Sequence, residues 1–183
     1  MELARRRFTI EDYLEMGEAG IFRRGERVEL IDGSVLTMSP IGDPHRLTLN
    51  RLTRLLTGRF PEPYVIQLQA TMALGSFDGP EPDAILFRDA GDAYGRLADP
   101  EKVALVIEVA DSSLRYDRTV KAPLYARYRV AEYWIVNLVD ERIETFSGPV
   151  DGRYERTAAY GGDEPILSPL FDPPLTASDV IRR

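Results

Sequence analysis

The sequence predicts a single α/β domain with a central mixed sheet, an N-terminal helix and hairpin, and antiparallel additions at the C-terminus. The chain has 183 residues, a length that suits one domain with one core. The run VALVIEVA at 103–110 is almost continuously apolar, which is typical of a central strand covered on both faces. A second such run, YWIVNLV at 133–139, follows a helical segment. Residues 103–139 therefore predict two parallel strands joined by a helix.

Capping and turn residues indicate the N-terminal elements. Thr9 and Asp12 have the spacing of a capping box, which predicts that a short helix begins here. The segment RVELIDGSVLTM contains two β-prone runs joined by Asp32-Gly33. Because this dipeptide favours the positive φ angles of a tight turn, the segment predicts a hairpin.

The middle of the chain predicts a longer helix and two more strands. Asp43-Pro44 supplies an N-cap and a first-turn proline for a helix through about Arg59. YVIQLQATMAL (64–74) predicts a long strand, and DAILF (83–87) predicts a short one after a Gly/Pro-rich loop. A polar loop that ends near Pro100 leads to the central strand.

The second half of the chain predicts the crossover helix and the C-terminal additions. Asp117 is the expected N-cap of the helix between the parallel strands, which would run through about Arg129. Pro123 falls inside this helix and is expected to kink it or to delay its start. The later segments RIETF and RYERTAAY predict antiparallel strands, and a proline-rich tail follows them.

Composition limits the class of protein. With 44% hydrophobic and 29% charged residues, the chain resembles a globular domain. The absence of cysteine excludes a disulfide framework, a thiol nucleophile and a cysteine-ligated metal. We find no signal peptide and no membrane-spanning apolar run, so we expect a cytoplasmic protein. The net charge of −7 argues against nonspecific coating of nucleic acid, but a nuclease whose carboxylates bind metal can still be acidic.

An acidic residue interrupts the apolar central strand. Because a buried carboxylate without a partner is costly, Glu108 either reaches solvent at a strand end or belongs to a site. Asp83 begins a strand that could lie beside it, and paired carboxylates offer the hard oxygen ligands that Mg²⁺ and Mn²⁺ prefer. Lys121 could face the same edge of the sheet from the next helix, although a solvated helix lysine is the alternative. These residues predict a divalent-metal site around Asp83, Glu108 and Lys121.

The stretch from Tyr13 to Val139 resembles the Uma2 (DUF820) family of restriction endonuclease-like proteins, within the PD-(D/E)xK nuclease superfamily. The resemblance is carried, in order, by VELIDGSVLTMSP, PHRLTLNRL, EPDAILF, VIEVADSS and DRTVKAPLYARYRVAEYWIVN. It implies a restriction endonuclease-like core of one helix, three strands, a second helix and a final strand (αβββαβ). That core would occupy about residues 26–140 of a single domain spanning 1–183.

The resemblance also implies an activity and a set of site residues. Asp83 matches the aspartate of the PD motif, and Glu108 matches the acid, 25 positions later. The lysine expected two residues after that acid is replaced by Ala110, and the resemblance implies that Lys121 has taken over its role. Glu29 matches a further acidic position and could be a third acid for the metal, or an outward strand residue. The implied activity is Mg²⁺- or Mn²⁺-dependent hydrolysis of phosphodiester bonds in nucleic acid, with DNA expected.

Two polar residues are candidates for supporting roles. Gln69 could orient the lysine or a water, although a satisfied polar core residue is the more common case. His45, at the start of the second helix, could assist a phosphate or a proton transfer, or could be a surface or capping residue. Aromatic residues near the crossover helix are expected to pack in the core or in a homodimer interface; they are Tyr125, Tyr128, Tyr133 and Trp134.

Two alternatives to a nuclease stay open. The first is a non-catalytic module that keeps the nuclease fold for binding or assembly. Ala110 in place of a lysine and the acidic net charge favour this alternative. The second is metal-assisted hydrolysis of another phosphate ester at the same site.

Overall fold

The computed structural model describes residues 5–61, 63–88 and 102–181. The described chain forms a six-stranded sheet, a separate two-stranded hairpin sheet, and helices that cover both faces of the larger sheet. The helical elements are α1 (Ile10–Glu18), α2 (Asp43–Arg59), α3 (Leu114–Tyr116), a π-helical turn (Asp117–Lys121), α4 (Ala122–Arg127) and α5 (Ala177–Val180). The strands are β1 (Val28–Ile31), β2 (Ser34–Thr37), β3 (Val65–Leu68), β4 (Ala84–Phe87), β5 (Val103–Ala110), β6 (Glu132–Asn137), β7 (Arg142–Val150) and β8 (Arg153–Gly161). Most of the predicted polar loop before Pro100, with Pro100 itself, lies outside the described residues.

The six-stranded sheet has its strands in the chain order β3-β4-β5-β6-β7-β8. The β5–β6 pair is parallel, and the other adjacent pairs are antiparallel. A parallel pair needs a crossover connection, which α3, the π-helical turn and α4 provide. The predicted mixed sheet, αβββαβ core, N-terminal helix and hairpin, and C-terminal antiparallel strands are confirmed.

The central strand β5 is buried along its whole length. Leu105 and Ile107 pack with the apolar side of α2, whereas Val106 packs on the opposite face with Tyr125 of α4. Each fully buried side chain of this size contributes about 1.5–3 kcal/mol by leaving water. The core packing expected for Tyr125, Tyr133 and Trp134 is confirmed, since all three are fully buried.

The β1–β2 hairpin docks on the loop between β3 and β4 and is not part of the main sheet. Leu30 exchanges two backbone hydrogen bonds with Gly79, and the Tyr13 hydroxyl of α1 donates to the carbonyl of Val28. Gly79 permits this approach, because a Cβ there would lie 2.5 Å from Cδ1 of Ile10. Helix α1, the hairpin and this loop therefore form one packed unit beside the sheet.

Several element boundaries differ from those predicted. The long strand expected at 64–74 is only β3, because the chain turns at Gln69, where φ is +47°. Helix α2 has Gly42 as its N-cap, with Asp43 already helical. The crossover helix begins at Leu114, so that Asp117 lies inside it, and it ends two residues before Arg129.

Pro123 lies in the first turn of α4, directly after the π-helical turn. The helical segments from Leu114 to Arg127 follow one another without a break, so the missing N–H of Pro123 leaves a carbonyl of the preceding turn without its helical donor. The prediction that Pro123 perturbs this helix is therefore consistent with the change from π-helical to α-helical geometry. None of the described helices has both the length and the apolar character needed to cross a membrane.

Candidate active site

A cavity of about 430 Å³ lies where β4 begins and β5 ends. The hairpin and the loop before α2 form one wall, and the π-helical turn forms another. Its polar lining consists mainly of acidic residues with a few bases, namely Arg27, Glu29, His45, Asp83, Glu108, Asp111, Asp117 and Lys121. Five of these residues were candidates from the sequence: Glu29 of β1, His45 of α2, Asp83 just before β4, Glu108 of β5 and Lys121 of the π-helical turn. They are far apart along the chain, and the fold brings them together.

Asp83 directly precedes β4, and Glu108 lies on the adjacent strand β5. Ala84 faces Ile107 in the β4–β5 register, and continuing this register by one residue brings Asp83 opposite Glu108. Opposite residues of an antiparallel pair have their side chains on the same face of the sheet. The predicted proximity of the two acids is therefore what the strand register produces, and both line the cavity.

Lys121 joins two of the acids. Its Nζ lies 2.8 Å from Oε1 of Glu108 and 3.2 Å from Oε2 of Glu29. The three residues are 1%, 4% and 2% exposed, in the order Lys121, Glu108, Glu29. A solvated lysine, a strand-end Glu108 and an outward Glu29 were the alternatives, and the burial of all three residues contradicts them.

Burial and charge change the acidity of these groups. Burial raises the pKa of Glu108 from 4.5 to about 8, and Lys121 only partly offsets this effect. Burial alone would lower the pKa of Lys121, but the carboxylates of Glu108 and Glu29 outweigh it and raise that pKa above its ordinary value. Lys121 is therefore firmly cationic, while Glu108 binds its proton more tightly than an exposed glutamate.

Asp83 is held by donors on one side. Nε2 of His45 lies 2.8 Å from Oδ2 of Asp83, and the amide N of Val109 donates to the same oxygen at 2.9 Å. Burial opposes ionisation, but these hydrogen bonds outweigh it and hold the pKa of Asp83 below its ordinary value. His45 is thus a buried partner of Asp83, and the expected surface or capping role for it is wrong.

Gln69 contacts the other oxygen of Asp83 more weakly. Its Nε2 lies 3.5 Å from Oδ1, and the residue is exposed just beyond the end of β3. The interpretation of Gln69 as a core residue is wrong, because β3 ends one residue earlier. Among the described residues, the Gln69 side chain donates to Asp83 and not to Lys121, which was the other predicted partner.

The sequence interpretation missed Asp117 as a site residue. This carboxylate is buried in the π-helical turn, lines the cavity and accepts a hydrogen bond from Ser113 Oγ at 2.6 Å. Burial raises its pKa, which Lys121 partly offsets. Its position four residues before Lys121 was a signal, because helical residues with this spacing share a face.

The donors available to a metal are fewer than the acids in the cavity. Among residues 5–61, 63–88 and 102–181, no group of three or more His, Asp or Glu side chains is arranged closely enough to hold a metal ion. The carboxylates of Asp83 and Glu108, together with the backbone carbonyl of Val109, form a smaller set that fits the oxygen preference of Mg²⁺ and Mn²⁺. The Val109 amide faces the start of β4, and the carbonyl of a strand residue lies on the same side as its N–H.

Sequence and structure comparisons give consistent results. The sequence model of Uma2, described as "Putative restriction endonuclease", matches residues 10–178. A crystal structure described as that of "a putative nuclease belonging to DUF820" from Anabaena variabilis ATCC 29413 has a TM-score of 0.74. The two proteins are 12% identical, and the alignment covers 95% of this chain and 97% of the other. No curated protein sequence matches the chain.

Proposed function

The chain belongs to the Uma2 family, and on this premise we propose that it is a divalent-metal-dependent endonuclease that hydrolyses phosphodiester bonds in DNA. The observation that carries this proposal is the buried Lys121, held against Glu108 on the strand beside Asp83. The arrangement supplies two acids and a lysine although position 110 is alanine. It supports the role of Lys121 implied by the family resemblance.

Asp83 and Glu108 would hold Mg²⁺ or Mn²⁺, with the Val109 carbonyl as a further oxygen ligand. One oxygen of each carboxylate carries the strong hydrogen bonds, Oδ2 of Asp83 and Oε1 of Glu108. Among the described residues, Oε2 of Glu108 has no hydrogen bond, and Oδ1 of Asp83 has only the long one from Gln69. When bound, the metal would activate water and neutralise charge on the phosphate.

Lys121 would stabilise negative charge as it develops on the scissile phosphate or orient the attacking water. Glu29 fixes the ammonium group from the hairpin side, and its carboxylate is available to complete the metal shell through water. Tyr125 of α4 donates to Oε1 of Glu108 at 2.9 Å, so it also restrains the Glu108 carboxylate. Gln69 and His45 are proposed as supporting residues, because each contacts Asp83.

The proposal includes a cytoplasmic location and a possible homodimer as further predictions. A protein with a negative net charge lacks the general attraction to phosphates that drives nonspecific binding of nucleic acid. The metal and Lys121 would therefore supply the positive charge at the site. The alternative function is a non-catalytic binding module. Ala110 in the usual lysine position favours it.

Cleavage assays with matched variants test the proposal. Plasmid, single-stranded DNA and RNA are incubated with Mg²⁺ or Mn²⁺ and with wild-type protein, Glu108→Gln or Glu132→Gln. Glu132 is a suitable control, because it is also a buried strand glutamate but bonds to Trp134 and Ser168, outside the cavity. Metal-dependent DNA cleavage lost only in Glu108→Gln is the expected result. Equal activity in Glu108→Gln and wild type would overturn the assignment, and no cleavage with no metal binding would favour the binding module.

A further inference from the structure

His45 is the one histidine in the chain, and its ring lies against a proposed metal ligand. It is the third residue of α2 and only 8% exposed. Its Nε2 is 2.8 Å from Oδ2 of Asp83. The Val109 amide donates to the same oxygen, so both strong donors converge on Oδ2.

The surroundings of the ring indicate its tautomer. An ionised carboxylate is an acceptor only, so Nε2 must carry the hydrogen in the bond to Asp83. Nδ1 is buried and has no hydrogen-bond partner among the described residues. A hydrogen on Nδ1 would be a buried donor without an acceptor, which costs about 1–3 kcal/mol. A ring with its hydrogen on Nε2 avoids this cost.

We propose that His45 is a positioning residue for Asp83: it donates from Nε2 to Oδ2 and, with the Val109 amide, turns Oδ1 toward the metal position. A ligand carboxylate oriented by two donors needs less ordering when the metal arrives. The presentation of Oδ1 to a metal rests on the proposed function. The tautomer and its dependence on Asp83 do not.

A purely structural role for His45 makes a different prediction. If the ring only anchors α2 to the sheet, its loss lowers stability but leaves metal affinity unchanged in the folded protein. If it positions Asp83, removing the donor weakens Mn²⁺ binding by about 10–100-fold, as is typical of groups that orient metal ligands. A glutamine, whose amide nitrogen can reach about as far as Nε2, restores most of that affinity, whereas the shorter asparagine does not.

The matched control is Thr48→Val on the same helix. Thr48 is also buried in α2 and lies one turn after His45, but it does not line the cavity. We expect this substitution to change stability without changing Mn²⁺ affinity. It therefore separates damage to the helix from loss of the donor.

The test combines NMR with Mn²⁺ binding on the full chain. Protein labelled with ¹⁵N-histidine contains one imidazole, so its two nitrogen signals are assigned without ambiguity. The expected spectrum has hydrogen on Nε2 and none on Nδ1, and Asp83→Ala removes this preference. A wild-type spectrum without hydrogen on Nε2 would overturn the proposal. Mn²⁺ affinity, measured by electron paramagnetic resonance, should fall in His45→Asn and recover in His45→Gln.

The possible failures are distinguishable. If the wild type binds Mn²⁺ and His45→Asn binds it equally well, the positioning role is overturned while the proposed function stands. If the wild type binds no Mn²⁺, both the proposed function and the presentation of Oδ1 are overturned. In that case the NMR spectrum still decides whether His45 is tied to Asp83 through Nε2.

Discussion

Nζ of Lys121 lies 2.8 Å from Oε1 of Glu108, although Glu108 belongs to strand β5 and Lys121 to the π-helical turn of the crossover helix. The strand brings the acid and the crossover helix brings the base, so their contact depends on how the helix packs on the sheet. Because both groups are buried, removing either one leaves the other without its polar partner. This contact makes the site sensitive to the loss of either residue.

Replacing Lys121 with methionine should destabilise the protein as well as inactivate it. The substitution leaves the carboxyl groups of Glu108 and Glu29 buried without the ammonium group that contacts both, and removing one partner of a buried pair in this way costs about 3–5 kcal/mol. Urea denaturation near neutral pH measures the loss. Lys102→Met is a suitable control, since the chain has only two lysines and Lys102 does not line the cavity. Equal loss in both variants would contradict the prediction.

Glu108→Gln should remove a pH dependence of stability. The pKa of Glu108 is raised from 4.5 to about 8 in the folded protein, so the unfolded chain loses this proton first as pH rises. The contribution of Glu108 is fully present below about pH 4.5 and is lost as pH rises through about 8. Glu108→Gln lacks this decline and should become more stable relative to wild type as pH increases over that range. Parallel stability curves of the two metal-free proteins would contradict the assignment.

Asp83→Asn should abolish cleavage with only a modest loss of stability. The asparagine carbonyl oxygen can still accept from His45 and from the Val109 amide, but the side chain has lost the charge that attracts a metal. Since the pKa of Asp83 is lowered in the fold, its ionised form contributes stability at neutral pH that the variant lacks. Cleavage rate and melting temperature measured on one sample test both parts. A variant that cleaves at the wild-type rate would contradict the role of Asp83.

Asp117→Asn should stabilise the metal-free protein. Burial raises the pKa of Asp117, and its hydrogen-bond donor in the structure is the neutral Ser113 hydroxyl. The ionised side chain therefore opposes folding at neutral pH, and the uncharged amide relieves this penalty. Differential scanning calorimetry at pH 7 should give a higher melting temperature for the variant. A lower melting temperature there, with the same order retained at pH 4, would contradict this account.

Divalent metal should raise the melting temperature of the wild-type protein. A ligand that binds only the folded state at 100 times its Kd adds about 2.7 kcal/mol. The same Mn²⁺ concentration should leave Asp83→Asn unchanged, because one of the two proposed carboxylate ligands is then neutral. A shift of equal size in wild type and variant would indicate metal binding elsewhere on the chain.

The fold was predictable because its strongest patterns are long and local. The apolar run of β5, the Asp32-Gly33 turn and the long helix that ends at Arg59 each appear in the structure as predicted. The end of β3 was not predictable, because it depends on a positive φ at Gln69, a conformation that residues other than glycine rarely adopt. The early start of the crossover helix was missed because Asp117 is a typical cap residue in sequence but is buried inside the helix here.

The site was only partly predictable for a related reason. A carboxylate in an apolar strand is visible in the sequence, so Glu108 and its neighbour Asp83 could be named. The partners of a buried charge come from distant elements, so Asp117 was missed and His45 was left between a supporting role and a surface or capping role. His45 and Asp117 acquire their meaning only when α2 and the π-helical turn converge on the same cavity.

The hairpin that supplies Glu29 is not a strand of the main sheet, since it docks through Leu30 and Gly79. Consequently, Lys121 has both of its carboxylate partners only when two separately packed parts of the chain have come together. A molecule whose hairpin has detached keeps its central sheet but loses one of the two anchors of its lysine. Local opening of the N-terminal unit therefore removes part of the proposed site, so an incompletely folded chain lacks the complete arrangement around Lys121.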